Sequence, residues 1–413
     1  MDPDPKRPLM VRERFSDASP GRLEPVTLSK RGLGPLGEPV RDRIVSVGFV
    51  PDPLPPDLDW RAIKAELFDE LDAAGNALSR VNGLLHAVPS TDILRHGLWL
   101  REARLSSQIE GIETTALDMV LAGASGEAGE GANPGLEAWN AVKAVRFAWE
   151  SNEPFGPELL GDMHRELLVG VRGGDKRPGE YRDGPVYIGS PRWPDKARFV
   201  PPPPEHVGPA MDALGRFATS TWADIPGIAC VALEHYQFET IHPFRDGNGR
   251  IGRALILHQL CRRGLLELPI VSVSADLQAR RQEYVDRLFA VSADGDWAGW
   301  IRFFAEAVAR GAAQTRSLAE RIVALHREYA ERLRAHEAQA RHATLLDYLF
   351  EQPVVSAKRV ETLLGVSNPT ARKDIEFFEE LGILRLTEEV AYGKTWYAPV
   401  VLGIVEDDAG ATP

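Results

Sequence analysis

Apolar residues recur every three or four positions along much of this chain, which is the spacing of amphipathic helices. The first clear run starts at Trp60 and continues through Ile63, Leu67, Leu71, Ala74 and Leu78. Comparable runs cover residues 138–149, 157–168, 209–220, 225–239 and 248–263. The pattern predicts a mostly helical protein from Trp60 to about residue 340.

Two segments depart from this spacing. Residues 1–55 are rich in Pro, Gly and Arg and have no clean period, so we predict an extended N-terminal arm whose first dozen residues are mobile. Further along, Val186 and Ile188 alternate with Tyr187, and the alternation resumes at Phe199 shortly before four consecutive prolines. This stretch predicts a short β-hairpin whose far end is blocked from further pairing.

The C-terminal part has the pattern of a separate small domain. Residues 311–340 predict a helical connector, and short helices are expected over residues 343–351, 356–364 and 368–381, with a turn at Gly365 between the last two. Residues 384–386 and 394–398 then predict a two-stranded wing. This order is that of a winged helix-turn-helix domain, which we place at 341–403, with a tail at 404–413.

Composition bounds the remaining alternatives. A chain of 413 residues, 44% of them hydrophobic, exceeds one usual core, so we expect an N-terminal helical region at 56–130 and a core at 131–310. The absence of a long apolar run or an apolar leader predicts a cytoplasmic protein without a membrane span. Cys230 and Cys261 lie in apolar helical stretches and are expected in the core. The net charge of −12 disfavours broad electrostatic capture of nucleic acid.

The segment 241–253 is the most informative part of the sequence. Glycines flank Asn248 on both sides, so the backbone there can turn and bring successive N–H groups together. A helix is predicted to begin at the same place, and the first turn of a helix favours an anion. Arg250 and Arg253, three positions apart, extend from one face of that helix. Together these residues predict a phosphate-binding loop with two cationic walls.

Two side chains near this loop add chemistry. Asp246 directly precedes it, where a bare phosphate would repel the carboxylate, so its expected use is to hold a hard divalent cation. His242 is the one side chain of the segment that exchanges a proton near neutral pH. Taken singly, each residue has an ordinary structural explanation, such as a turn or a solvated helix face. Together they fit phosphoryl or nucleotidyl transfer to a hydroxyl group.

Residues 242–253 resemble the signature of the Fic domain, H-x-F-x-[DE]-G-N-G-R-x-x-R, and match it at every fixed position. The resemblance implies an all-α core with a small β-hairpin flap, and transfer of AMP from ATP to a Ser, Thr or Tyr hydroxyl of a target protein or of the chain itself. It implies that His242 is the general base, that Phe244 anchors the loop, and that Asp246 holds Mg²⁺. The positions that it implies for nucleotide binding are Gly247, Asn248, Gly249, Arg250 and Arg253.

A further resemblance concerns regulation. Ser106, Glu110 and Gly111 match the family's inhibitory motif, [ST]-x-x-x-[ED]-[GN], at the end of a predicted helix. By this resemblance Glu110 pairs with Arg253 in the space that the γ-phosphate needs, so the enzyme would be autoinhibited. Without the motif, Glu110 would be interpreted as a surface residue before a glycine helix cap.

The resemblance also extends to substrate binding. Val186, Tyr187 and Ile188 lie where the family has a flap that holds the target as an added strand, and an exposed strand edge suits that use. Tyr284 is expected at the nucleoside, although an aromatic residue on a helix is more often part of a core.

The function of the C-terminal domain stays open. Residues 341–400 carry seven bases and nine acids, so we favour protein contact or regulation over DNA binding. For the whole chain, three alternatives to AMP transfer remain: a deAMPylase, a transferase that uses another nucleotide, and a winged-helix transcription regulator that senses ATP. A homodimer also stays open.

Overall fold

The computed structural model describes residues 14–33, 39–88, 90–125, 133–151, 153–189, 197–387 and 394–407. Helices dominate these residues, as the apolar spacing predicts. The first four are α1 (Trp60–Glu66), α2 (Phe68–Leu85), α3 (Asp92–Ile109) and α4 (Ala116–Ser125). The next eight are α5 (Pro134–Glu150), α6 (Pro157–Leu168), α7 (Val207–Thr219), α8 (Gly227–Ile241), α9 (Asn248–Arg262), α10 (Ser274–Ala279), α11 (Arg281–Asp294) and α12 (Trp297–Ala335).

The N-terminal segment differs from the predicted extended arm. Strands β1 (Gly21–Leu33) and β2 (Pro39–Pro51) form an antiparallel pair, with Gly21 opposite Pro51. Val26, Leu28 and Phe49 are buried in a small cluster with residues 199–200. The extended arm was predicted because the alternation of apolar residues in this segment is short and Pro25 interrupts it. That prediction was wrong, since an edge strand tolerates a proline. The first dozen residues, predicted to be mobile, lie outside the described part of the chain.

Helices α8 and α9 lie at the centre of the core. Residues 228–238 of α8 and residues 250–260 of α9 are all buried, so both helices are covered on every side. The two helices contact each other, α9 also contacts α5, and α12 contacts α8 and α2. Trp300 of α12 is fully buried and donates its indole N–H to the carbonyl of Ala232 at 2.8 Å. The loop between α8 and α9 is therefore held from both ends by packed helices.

Only the base of the predicted flap lies within the described residues. A single antiparallel bridge joins Ile188 and Phe199, with the Ile188 amide 2.9 Å from the Phe199 carbonyl. Strand β2 approaches the same segment, because the Phe49 amide donates to the Val200 carbonyl at 2.9 Å. Residues 190–196, which would form the hairpin tip, lie outside the described residues. The prolines from position 201 onward lack amide donors and end the pairing.

The C-terminal residues form the predicted winged helix-turn-helix domain. Its helices are α13 (Ala340–Glu351), α14 (Ala357–Leu364) and α15 (Asn368–Glu380), and Gly365 between the last two has a left-handed φ of 62°. Strands β3 (Val354–Ser356), β4 (Arg385–Leu386) and β5 (Thr395–Tyr397) form an antiparallel sheet in the order β3-β5-β4. Strand β3 was not predicted from the sequence, and the tip of the wing, 388–393, lies outside the described residues.

Two predicted boundaries in this half were wrong. The connector at 311–340 is not a separate element, because α12 starts at Trp297 inside the core and continues unbroken to Ala335. The tail at 404–413 instead begins within helix α16 (Pro399–Glu406), whose Val401, Leu402, Ile404 and Val405 are buried. These apolar residues cover α3 and α12, so the end of the described chain packs back onto the core. No helix in the described ranges is long and apolar enough to cross a membrane.

Candidate active site

A cavity of about 280 Å³ opens at the junction of α8 and α9. It brings together most of the residues predicted from sequence, which are Glu110, Ile188, His242, Asp246, Gly247, Asn248, Gly249, Arg250, Arg253 and Tyr284. Four predicted residues, Ser106, Gly111, Val186 and Tyr187, do not line it. Residues from four separate parts of the chain thus meet at one place, which is the usual arrangement of a binding or catalytic site.

His242 lies where α8 ends and the chain turns. Its backbone is left-handed, with φ 51° and ψ 62°, and its amide donates to the Phe238 carbonyl at 2.9 Å. Its Nδ1 is 3.3 Å from the Glu239 carbonyl, so Nδ1 carries the proton and Nε2 keeps its lone pair. Burial, and then the charge of Arg182, lower the pKa of His242 to about 4. The imidazole is therefore neutral at pH 7 and able to accept a proton.

Arg182, which was not predicted from the sequence, holds this turn in place. The side chain is 3% exposed and donates to the carbonyls of His242 at 2.8 Å, Ile241 at 3.1 Å and Pro202 at 2.7 Å. A buried guanidinium with several carbonyl acceptors fixes a backbone path that would otherwise be strained at His242. Sequence offers no signal for it, because Arg182 precedes the turn by sixty positions and belongs to no motif.

The loop that follows is fixed by Phe244 and Asn248. The Phe244 ring is fully buried and stacks on the His164 ring with centroids 3.9 Å apart, which supports its predicted anchoring role. His164 accepts the Gly179 amide at Nδ1, so its Nε2 donates to the Asp246 carbonyl at 3.0 Å. The Asn248 side chain accepts the Phe244 amide and donates to the Phe244 carbonyl, both at 2.8 Å. The Asn248 amide group therefore closes the loop.

The first turn of α9 faces the cavity without a side-chain cap. Gly247 is the N-cap residue at a left-handed φ of 76°, and no side chain of the described residues accepts the amides of that turn. A Cβ on Gly247 would come within 2.9 Å of Leu167, so only glycine fits there. Uncapped amides at the start of a helix attract an anion.

Arg250 is a buried cation without a close partner in the described part of the chain. It is 3% exposed, and its Nε and Nη1 make no hydrogen bond with any described residue. Its nearest carboxylate oxygen is Oε2 of Glu137, 3.8 Å from Nη1. Burial lowers the pKa of Arg250, and nearby carboxylates oppose that effect. A buried guanidinium with unmatched donors beside a cavity is suited to an anionic ligand.

Arg253 is equally buried but is fully engaged. Its Nε donates to Ser106 Oγ at 2.8 Å, and its Nη2 donates to the Ser106 carbonyl at 2.9 Å and to Glu110 Oε1 at 2.8 Å. Burial by itself would lower the pKa of Arg253, but Glu110, together with Tyr284 and Glu239, outweighs burial and raises that pKa. A Cβ on Gly249 would collide with Glu110 Oε1 and lie 2.8 Å from Arg253 Nη1, so this glycine makes the pairing sterically possible.

Tyr284 has a different environment from the one expected. It is 3% exposed, and its hydroxyl lies 2.8 Å from Nε2 of His235, whose Nδ1 is 3.2 Å from the Gly252 carbonyl. The Tyr284 side chain lines the cavity, but its hydroxyl is hydrogen-bonded to His235 inside the core. Its role at a nucleoside therefore stays a prediction, and its structural role is to pack α11 against α8.

Comparisons with known proteins agree with this architecture. Residues 154–260 match the model described as the Fic/DOC family, residues 68–150 match the N-terminal region of that family, and residues 341–387 match a DeoR-like helix-turn-helix domain. A crystal structure of a Fic family protein from Desulfovibrio desulfuricans G20 has a TM-score of 0.52 at 19% identity, covering 84% of this chain and 98% of that chain. It has the same fold.

Several curated relatives carry the name protein adenylyltransferase Fic. The one from Aedes aegypti is 32% identical over 150 residues, which are 36% of this chain and 27% of that protein. The one from Nematostella vectensis is 32% identical over 153 residues, which are 36% of this chain and 31% of that protein. The matched region thus spans less than a third of either relative.

Proposed function

We propose that this chain, which carries a Fic domain between the family's N-terminal region and a helix-turn-helix domain, transfers AMP from ATP to a hydroxyl group of a protein. One observation carries the proposal most strongly. A neutral His242, the uncapped first turn of α9 and the buried Arg250, whose Nε and Nη1 make no hydrogen bond with the described residues, all face one cavity. The names of the curated relatives support the same activity.

The transfer follows from these positions. The triphosphate lies against Gly247 and the free amides of Asn248 and Gly249, with Arg250 and Arg253 neutralising its oxygens. Nε2 of His242 accepts the proton of the target hydroxyl, whose oxygen attacks the α-phosphorus. The bond from the α-phosphorus to the bridging oxygen breaks, and pyrophosphate leaves with the electron pair. General-base assistance of this kind contributes about 10²- to 10⁴-fold to a rate.

Asp246 is suited to hold Mg²⁺ beside this triphosphate. It lines the cavity, and its Oδ1 accepts the Gly247 amide at 2.7 Å, which orients the carboxylate. Among the described residues no group of three or more acidic, His or Cys side chains could form a complete metal cage. One carboxylate suffices for Mg²⁺ when phosphate oxygens and water supply the other ligands. The ion would neutralise phosphate charge there.

Glu110 is proposed to inhibit this reaction. Its carboxylate accepts a hydrogen bond from the Arg253 guanidinium. The resemblance assigns this same guanidinium to the γ-phosphate. Burial would raise the pKa of Glu110, but the nearby cations, Arg253 above all, more than offset burial and lower that pKa. The carboxylate is therefore ionised at neutral pH. Two anions compete for one buried cation, and the intramolecular one has the advantage of a high effective concentration.

The test is incorporation of radiolabelled AMP from α-labelled ATP with Mg²⁺. Glu110→Gly is expected to raise labelling of the chain or of added protein by at least about tenfold, because loss of a charge-assisted hydrogen bond of about 1.5–3 kcal/mol frees Arg253. The matched control is Glu113→Gly, which gives the same backbone freedom in the same loop but removes a carboxylate that accepts from Gln108 rather than from Arg253. Equal labelling by the wild type and Glu110→Gly would contradict autoinhibition by Glu110.

Product mass separates the remaining alternatives. An added AMP supports the proposal, whereas a different added mass indicates another nucleotide. Release of AMP from a labelled target would point to the reverse activity, which the partly exposed Glu110 carboxylate could assist by holding a water; its side chain is 41% exposed. The absence of any covalent product together with DNA binding would favour the regulator.

A further inference from the structure

Glu239, one turn before His242, is the most unusual side chain near the cavity. It lines the cavity with 12% of its side-chain surface exposed, and its Oε2 is 3.9 Å from Nδ1 of His242. Its Oε1 is buried and accepts no hydrogen bond from any residue that the structure describes. A buried carboxylate oxygen that accepts no hydrogen bond destabilises the folded state.

The surroundings accommodate this carboxylate specifically. A Cβ on Gly252 would collide with Glu239 Oε1, so the glycine on α9 leaves the space that the carboxylate fills. The nearest guanidinium, that of Arg253, is already engaged by Ser106 and Glu110. Destabilising arrangements of this kind are kept mainly where function uses them.

We propose that Glu239 is a positioning residue for His242: its carboxylate stabilises the imidazolium that forms when Nε2 takes the proton of the target hydroxyl. This inference rests on the function proposed above. The 3.9 Å separation brings the negative charge beside Nδ1, the nitrogen that does not contact the substrate. A small side-chain rotation would turn this approach into a direct hydrogen bond, as in other histidine–carboxylate pairs.

The same geometry predicts a pH dependence. The groups that face Glu239 are Arg253 of α9, Glu110 at the end of α3, Tyr284 of α11 and His242 itself. Burial raises the pKa of Glu239 to about 7, Arg253 opposes the rise, and Glu110 adds to it. The carboxylate is therefore charged above that pH and neutral below it.

His242 gains its charge at a lower pH than the one at which Glu239 loses its own. The groups that act on it are Arg182, Glu110 and Asp246, and its pKa of about 4 lies well below that of Glu239. Support from Glu239 is consequently lost first as pH falls. In the Glu110→Gly variant, Glu239 is expected to lose its charge somewhat below pH 7, because Glu110 no longer raises the pKa of Glu239.

The experiment compares Glu110→Gly with the double variant Glu110→Gly/Glu239→Gln. We expect kcat for AMP transfer to fall by about ten- to a hundredfold while KM for ATP changes less than about twofold, since the glutamine keeps the shape but not the charge. We also expect the acidic limb of the kcat profile to flatten in the double variant. A merely structural Glu239 would not move that limb.

Glu234→Gln, in the same Glu110→Gly background, is the matched control. Glu234 lies on the same helix and is buried, with a pKa raised to about 7 by burial, but it pairs with Arg263 and accepts from Gln259 at 2.7 Å outside the cavity. Suppose that Glu110→Gly is active. The inference would be overturned if adding Glu239→Gln left kcat and its pH profile unchanged. It would also be overturned if Glu234→Gln flattened the acidic limb of the profile as much as Glu239→Gln does. An inactive Glu110→Gly would instead count against the proposed function.

A second observation concerns α16, at the other end of the chain. Two buried arginines of α3 donate to its last carbonyls: Arg101 to Val405 at 3.3 Å and to Asp407 at 2.8 Å, and Arg104 to Glu406 at 3.3 Å. The Glu406 carboxylate accepts the Ala116 amide, at the start of α4, at 2.6 Å. Glu406 thereby contacts α3, through Arg104, and the start of α4, and these two helices flank the loop that begins at Glu110.

We infer that α16 holds this loop in the position from which Glu110 reaches Arg253, so that the C-terminal domain sets the strength of autoinhibition. Ser106 and Arg104 belong to the same buried helix, and α16 follows β5 of the winged domain directly. Anything that moves the winged domain would therefore act on both ends of the inhibitory loop. This inference also rests on the proposed function.

The test is AMP incorporation by full-length Glu406→Ala. We expect about a tenfold rise over the wild type, because the hydrogen bond of a carboxylate to the Ala116 amide is lost. No rise is expected when Glu110→Gly is already present, since the inhibitory carboxylate is gone. Hydrogen exchange of the amides of residues 109–112 should speed up in parallel.

Gly403→Ala is the control on the same helix, because a Cβ there meets no atom within 4 Å. Arg104→Gln reaches the same loop from α3 and should also raise labelling, so the inference does not depend on how well one variant folds. Unchanged labelling and unchanged exchange in both Glu406→Ala and Arg104→Gln would overturn it. A rise that persists in the Glu110→Gly background would do the same, because it would not act through Glu110.

Discussion

Helices α9 and α15 begin with similar residues and lie in opposite environments. Each has an asparagine as its first residue, and each carries two bases over its first two turns: Arg250 and Arg253 on α9, Arg372 and Lys373 on α15. The arginines of α9 are 3% and 2% exposed, whereas both bases of α15 are exposed. The same residue types are therefore desolvated in one helix and hydrated in the other.

This difference decides what each helix can bind. A buried guanidinium acts in a low dielectric and beside few competing waters, so it holds a compact anion tightly and in one geometry. The charges of α15 are screened by water and salt, and Glu376 and Glu380 are exposed on the same helix. Arg372 also donates to Asn368 at 3.0 Å. Counting bases along the sequence would rank the two helices as equals.

The largest expected effect is on α9. Arg253→Ala in the Glu110→Gly background is expected to lower kcat/KM for AMP transfer by about 10²- to 10³-fold, because a preorganised cation at the triphosphate is removed. The measurement is the initial rate of AMP incorporation at several ATP concentrations. In an otherwise wild-type chain, Arg253→Ala breaks the same ion pair as Glu110→Gly but is expected to give no activation.

Arg262→Ala is the control for this comparison. Arg262 lies in the last turn of the same helix and is exposed, so it shares the charge of Arg253 without its burial. Its loss should leave the rate within about twofold, as for other surface substitutions. A gain of activity in Arg253→Ala alone would mean that this arginine serves only to anchor Glu110.

The site was predictable to the extent that its residues are local. Residues 242–253 form one turn, one loop and one helix start, so their spacing alone singled out His242, the two glycines and the two arginines as candidates. Arg182, His164 and Glu239 were missed because they act through backbone carbonyls or a single helix turn, and any helix contains such residues. The packing of α6 and α8 against α9 brings His164 and Glu239 to the loop, and Arg182 reaches it from the irregular segment that follows α6.

The fold shows the same limit. Buried helices were predicted well because apolar spacing reports burial directly, whereas β1 and β2 were missed because their alternation is brief. Asp374 shows the limit for charge. It was one of the nine acids counted over residues 341–400, yet it is 2% exposed and accepts hydrogen bonds from Arg341 at 2.7 and 2.8 Å, with His342 at 2.9 Å. A count of charges does not show which face each one occupies.

The smallest expected effect is on α15, where Arg372→Gln/Lys373→Gln tests the other half of the comparison. We expect AMP transfer by the Glu110→Gly form to stay within about twofold, since neither base contacts the cavity. For DNA, two phosphate contacts correspond to a slope of about −1.8 in a plot of log affinity against log salt, so the variant should weaken binding only modestly. Fluorescence anisotropy with duplex DNA at several salt concentrations measures this slope.

A slope steeper than about −5 in the unmodified chain would require several more cations than α15 exposes. It would show that a wider basic surface, built from other elements, reads DNA, and the contrast between the two helices would then lose its functional meaning. A shallow slope with unchanged catalysis would instead support a protein-contacting role for the winged domain. The exposed acids of α15 favour that outcome, because they repel the same phosphates that its two bases attract.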